Sequence, residues 1–153
     1  VAKGPQAEQT YCENLAWACA QAPDLRLTLE PINPDDMPGY FLNDFDQAAR
    51  ILDDLNSPQI GVQFDLWHAA RIHGNPTAVW AAHRARISHV QIAGFPSRNE
   101  PGGGGFDLPA LCAELDAAGG DVWISGEYRP SRATVHGLIW LQALKARHKM
   151  IGS

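Results

Sequence analysis

Hydrophobic residues follow two alternating rhythms along this chain. Leu15, Ala18, Cys19 and Ala22 recur at helical spacing, which predicts a helix over about residues 8–21, closed by Pro23-Asp24. Leu25 to Glu30 is then expected as a strand, followed by a loop carrying Pro31, Pro34, Pro38 and Gly39. Phe45, Ala48, Ala49, Leu52 and Leu55 form the stripe of a second helix that Asn43 or Asp44 would cap. Asn56-Ser57-Pro58 reads as a turn, and Ile60 to Asp65 as the second strand.

Trp67, His68 and Arg71 predict a short helical turn toward the break at His73-Gly74-Asn75-Pro76. A helix over about residues 77–84 leads into a third strand, Ile87 to Ile92. The loop from Gly94 to Gly105 contains four consecutive glycines. A loop of that length is uncommon unless functional, and a mobile lid is the expectation. Leu108 to Ala118 is a helix stopped by Gly119-Gly120, Val122 to Glu127 a fourth strand, and about residues 134–148 a last helix. The order is one helix and then four strand–helix units, undivided by any linker. That predicts a single domain over residues 1–153, α/β, with a parallel sheet of the (β/α)8 TIM-barrel type. It is about half of the roughly 250 residues such a barrel needs.

Each expected strand ends on an oxygen-bearing residue: Glu30, Asp65, Gln91 and Glu127. Ligands of parallel sheets gather at the carboxyl ends of the strands. Four oxygen donors converging there would suit a hard divalent cation, Mg²⁺ or Mn²⁺ rather than Zn²⁺, which prefers nitrogen and sulfur. Asp65 has a second reading as the cap of the helical turn that follows it.

Composition narrows the class. At 153 residues the chain can bury a core, and its net charge of −5 with no Lys/Arg run argues against nucleic acid as a partner. No apolar run approaches a membrane span, so no membrane partner is expected. Cys12, Cys19 and Cys112 form no CxxC pair and suit buried free thiols in a reducing, cytoplasmic setting. The chain opens without Met and runs straight into a helix, which reads as a start within a longer protein.

The segments LEPIN at 29–33, FDLWH at 64–68, SHVQIAGFPSRNEPGGG at 88–104 and GEYRP at 126–130 resemble the hydroxypyruvate isomerase family. That family belongs to the xylose-isomerase-like (β/α)8 barrels, with the related 2-oxo-tetronate isomerases and ketose 3-epimerases. The resemblance covers nearly the whole chain and aligns it with barrel strands five to eight, the C-terminal half. It implies that Glu30, Asp65, Gln91 and Glu127 are metal ligands. It also implies that His68 and Arg98 bind substrate oxygens. Ketose 3-epimerases usually carry His where this chain has Gln91, which favours the hydroxypyruvate-type branch.

The implied reaction interconverts hydroxypyruvate and tartronate semialdehyde through a metal-stabilised enediolate, with Glu30 and Glu127 as catalytic proton carriers. Arg98 would pair bidentately with a substrate carboxylate, held in place by Glu100. His89 shares a strand face with Gln91 and would line the interior behind it. Asn33, Asp36 and Tyr128 are further pocket candidates. Trp17, Trp80, Trp123 and Trp140 are expected between helices and sheet, while His73, His83, His136 and His148 are expected at the surface or as caps.

Other readings stay open. A 2-oxo-tetronate isomerase or a ketose 3-epimerase would use the same residues on a longer substrate. A DNA phosphodiesterase of similar barrel would need a His-rich zinc cluster and a basic face, which this sequence lacks. A truncated half barrel without turnover is the reading of another class. Open sheet edges would then drive self-association or pairing with an N-terminal half barrel.

Overall fold

In the computed structural model, residues 4–102, 106–118 and 122–151 are described, with side chains as far as Lys145 apart from that of Ala118. The elements run α1 (Pro5–Gln21), β1 (Leu27–Leu29), α2 (Phe45–Leu55), β2 (Ile60–Asp65), α3 (Leu66–His73) and α4 (Pro76–His83). After a 3₁₀ turn at Arg84–Arg86 come β3 (Ile87–Ile92), α5 (Leu108–Ala118), β4 (Trp123–Gly126), α6 (Thr134–Gly137) and α7 (Ile139–Ile151). The four strands form one parallel sheet in the order β1-β2-β3-β4. That is the pattern of consecutive crossover units.

The sheet has two unlike faces. Leu29, Val62, Phe64, Val90 and Ile92 point into a core with Leu42, Phe45, Ile51 and Trp80. The other face carries Thr28, Gln63, His89, Gln91 and Ser125, joined across strands by side-chain hydrogen bonds. A register shift beside Val62–Gln63 absorbs Ser88, so that Gln63 pairs with His89 and Asp65 with Gln91. The extra residue keeps β3's polar side chains on the same face as those of β2.

Helix ends follow local chemistry. Asp44 accepts from the Gln47 N–H at the start of α2, Asp65 from Trp67 at the start of α3, and Asn75 from Ala78 at the start of α4. Asn56 and Gly74 close α2 and α3 in the left-handed region.

Several expectations need correction. The segment after Asp65 is a full eight-residue helix rather than a single turn. The last helix is split at Leu138. Trp17 and Trp123 are 66% and 76% exposed, so they are not packed between layers, whereas Trp80 is buried. His83 is buried instead of at the surface. It lies beside Phe45, and its Nε2 is 3.2 Å from Asp46 Oδ1. The expected stop at Gly119-Gly120, the glycines Gly103 to Gly105 and the side chain of His148 lie outside the described residues.

Candidate active site at the carboxyl ends of the strands

Because successive strand residues alternate faces, Glu30 shares a face with Thr28, and Asp65 with Gln63. All four strand ends therefore deliver their oxygen atoms to the polar side. Glu30 follows β1 directly. The Glu127 N–H donates to the Ile92 carbonyl at 3.0 Å, which extends the β3–β4 ladder to the residue that carries the carboxylate. The side-chain amide of Gln91 lies 3.1 Å from Glu30 Oε1 and 3.3 Å from Glu127 Oε2.

Asp65 divides its two oxygens between structure and site. Oδ1 accepts from the Trp67 N–H at 2.8 Å and caps α3. Oδ2 is left facing the cluster, 3.0 Å from Arg98 Nη2 and 3.5 Å from His68 Nε2. Both readings of Asp65 thus apply to one side chain, and its carboxylate is fully buried. Burial pushes its carboxyl well above the usual carboxylate range, and the Arg98 guanidinium pulls it back. Glu30 is raised as well, first by burial and then by the neighbouring Glu127.

His68 sits one helical turn after Asp65 and is buried. Its Nδ1 accepts from the Asn33 backbone N–H at 3.2 Å, with the Asn33 side-chain nitrogen at 2.8 Å. A ring nitrogen that accepts from a backbone N–H is unprotonated, so in the neutral ring Nε2 carries the hydrogen. Nε2 lies 3.8 Å from Glu30 Oε1. Burial, with Arg98 adding to it, lowers the imidazole to about 4, so the ring is neutral near pH 7. Glu30, Asp65 and His68 each place a ligand atom within 4.8 Å of one another. The tautomer makes His68 a donor toward that point and leaves the oxygens to hold a cation.

Arg98 reaches the site from the loop after β3. Its Nη2 lies 3.0 Å from both Asp65 Oδ2 and Glu127 Oε2, and its Nη1 lies 3.5 Å from Asp36 Oδ2. The guanidinium also rests over the Trp67 ring, 5.8 Å from its centroid. The loop folds tightly: Gly94 donates to the Asn99 carbonyl and accepts from the Arg98 N–H, both at 2.8 Å. A Cβ at Gly94 would collide with the Glu100 carbonyl. Arg98 itself has φ +56°. Glu100 does not hold Arg98, contrary to expectation. It accepts from the Ser131 N–H and so ties this loop to the one after β4.

Asn33 and Asp36 do belong to this corner. Asn33 Oδ1 accepts from the N–H groups of Asp35 and Asp36, and Asp36 Oδ2 accepts from Trp67 Nε1 at 2.7 Å. Tyr128 instead packs edge-on against Trp140. Sequence reasoning missed Trp67, Thr28 and Gln63. Strand alternation could have found the last two, since each stands two residues before a strand-end ligand candidate.

The donor set fits a divalent cation. With its oxygen inward, the Gln91 amide faces Glu30 Oε1 at 3.1 Å and Glu127 Oε2 at 3.3 Å, and Arg98 links Glu127 to the buried Asp65 carboxylate. Octahedral Mg²⁺ with bonds of about 2.1 Å separates adjacent oxygens by about 3.0 Å, close to these spacings.

The pattern of the xylose isomerase-like TIM barrel family matches residues 2–144. A 2-oxo-tetronate isomerase of Cupriavidus necator is 41% identical over 90% of this chain and 54% of its own. A hydroxypyruvate isomerase of Escherichia coli is 33% identical over 89% of this chain and 54% of its own. A Brucella melitensis structure described as AP endonuclease, family 2, superposes with a TM-score of 0.80. It is 36% identical over 89% of this chain and 54% of its own length. The chain thus spans about half the length of the curated relatives it matches.

Proposed function

The chain belongs to the xylose isomerase-like TIM barrel family, and from that premise we propose that it carries the catalytic residues of an isomerase for small 2-oxo or hydroxy acids. The observation that carries this reading is the placement of the Gln91 amide 3.1 Å from Glu30 Oε1 and 3.3 Å from Glu127 Oε2, with the buried Asp65 carboxylate joined to Glu127 through Arg98. These four residues would hold Mg²⁺ or Mn²⁺. When bound, the cation neutralises negative charge as it develops on the substrate's two oxygens.

The reaction is hydroxypyruvate to tartronate semialdehyde. One glutamate removes a proton from the hydroxymethyl carbon, the other, protonated at the start, returns one to the former carbonyl carbon, and exchange with solvent restores both. The hydroxyl proton passes between the two oxygens, so atoms balance and no electrons are exchanged with a co-reactant. Burial and the neighbouring Glu127 raise the Glu30 carboxyl above its ordinary value, which suits it to holding a transferred proton. His68 Nε2–H donates to a substrate oxygen. Arg98 pairs with the substrate carboxylate, and its stacking on Trp67 sets the plane of the guanidinium.

A 2-oxo-tetronate substrate is the second reading, favoured by the 41% identity to the Cupriavidus protein. An endonuclease reading finds less support, because the metal-capable group found among the described residues is Glu30, Asp65 and His68, not a histidine cluster. The chain would supply barrel strands five to eight. β1 and β4 are the outer strands of the described sheet, and exposed Trp123 lies on β4. Both edges suit closure by a further half barrel or by a second copy.

The test is Mn²⁺ binding followed by electron paramagnetic resonance, with turnover assays on hydroxypyruvate and 2-oxo-tetronate. Stoichiometric binding that Glu30→Ala and Glu127→Ala both abolish supports the site. Binding that survives both substitutions overturns it.

A further inference from the structure

Thr28, Gln63 and Gln91 form a chain of side chains that leads from the polar sheet face to the strand-end site. Thr28 Oγ1 donates to Gln63 Oε1 at 3.2 Å, and Gln63 Nε2 donates to Gln91 Oε1 at 2.7 Å. In that arrangement Gln91 turns its oxygen toward the Glu30 and Glu127 carboxylates, 3.1 and 3.3 Å away. The contact is repulsive unless a cation lies among the three oxygens. With the Gln91 amide reversed, its nitrogen donates to both carboxylates. Gln63 must then reverse too, because its nitrogen would otherwise face the Gln91 nitrogen at 2.7 Å.

The far end of the chain permits this. A threonine hydroxyl is both donor and acceptor, so Thr28 donates to the Gln63 oxygen in one arrangement and accepts from the Gln63 nitrogen in the other. The two arrangements occupy the same space, but in the nitrogen-inward one the two Gln91 amide hydrogens are shared among Glu30, Glu127 and the Gln63 oxygen, and Gln63 gives up its hydrogen bond to Glu30. Gln63 is half-buried and stands two residues from Asp65 on the same face of β2, yet none of its atoms is needed as a ligand.

Resting on the proposed metal site, we infer that Gln63 is a positioning residue that sets which end of the Gln91 amide faces the cation. Cation binding selects the oxygen-inward arrangement and reverses both glutamine amides together. Without the cation, the nitrogen-inward arrangement holds Glu30 and Glu127 side by side through donated hydrogen bonds. A donor behind Gln91 thereby strengthens a weak neutral ligand. This is the usual work of residues that lie just behind metal ligands.

The experiment uses the full chain and Gln63→Met, which keeps the length and removes both the oxygen and the nitrogen of the amide. Mn²⁺ affinity is read by electron paramagnetic resonance, and the glutamine side-chain amide signals by ¹H–¹⁵N spectra during a Mg²⁺ titration. The substituted chain is expected to bind Mn²⁺ about tenfold more weakly, as losses of second-layer partners do. In the parent chain the Gln63 and Gln91 side-chain signals should shift along one binding curve. Unchanged affinity in a folded Gln63→Met, or a Gln91 signal that shifts while Gln63 stays fixed, overturns the relay and leaves the metal site standing. Failure of the parent chain to bind Mn²⁺ overturns the site reading itself.

Discussion

The Asn33 backbone N–H donates to His68 Nδ1 and thereby fixes which nitrogen of that imidazole faces the carboxylates. The peptide bond has no alternative tautomer, so the assignment does not depend on any neighbouring side chain. Long-range ¹H–¹⁵N spectra at pH 7 should show His68 as the Nε2-protonated tautomer. An Nδ1-protonated ring would remove the donor role assigned to it.

Asp65 combines two jobs that substitution can separate. Asp65→Asn retains an acceptor oxygen for the Trp67 N–H but presents an amide to Arg98. Chain stability should fall by about 1–3 kcal/mol, because Arg98 loses a buried acceptor, while Mn²⁺ binding falls at least about tenfold. Denaturant unfolding beside metal titration separates the two effects. Equal Mn²⁺ affinity in the folded variant would remove Asp65 from the ligand set.

Metal should stabilise the fold because the four candidate ligands come from all four strands. At a free Mg²⁺ or Mn²⁺ concentration of about 100 times Kd, linkage gives about 2.7 kcal/mol. Melting in the presence of the ion should therefore occur several degrees higher than in chelator. A melting temperature indifferent to both would count against a site spanning the sheet.

Tyr11 gives the chain an alkaline sensitivity. Burial, reinforced by Tyr40, pushes its phenol up to about 12 from an ordinary value near 10. The unfolded chain loses this proton first, so the folded state holds more protons between pH 10 and 12 and stability falls as pH rises through that window. Tyr11→Phe should flatten that part of the stability profile relative to the parent chain and leave the profile below pH 9 unchanged. An identical alkaline profile in both chains would contradict the assignment.

The core should respond most sharply at Phe45. Its ring is fully buried and lies 5.7 Å from the Phe64 ring, joining α2 to β2. Phe45→Ala should cost about 3–5 kcal/mol in urea unfolding. A loss under about 1 kcal/mol would mean that neighbouring side chains close the cavity.

Local pattern was enough for the elements because each depends on a few neighbouring residues. Ile60–Asp65, Ile87–Ile92 and Leu108–Ala118 have the limits their apolar runs predict, and α2 begins where Asp44 caps it. The strand-end oxygens were legible for the same reason, since a parallel sheet brings its carboxyl ends together whatever the details of packing. Trp17 and Trp123 were misjudged because an apolar side chain on a helix or strand does not reveal whether another layer covers it.

The sequence by itself determined the order of strands and helices, the type of sheet and the four oxygens at its carboxyl edge. Tertiary structure decided how those oxygens are held. Arg98 meets Asp36 from 62 residues away, Asn33 meets His68 from 35, and Gln63 meets Gln91 from 28. Such pairs are set by strand register, by a one-residue shift beside Gln63 and by the fold of the loop after β3. None of these leaves a periodic trace in the chain. Periodicity reports which face of an element is buried, whereas hydrogen-bond partners depend on positions that only the assembled sheet fixes.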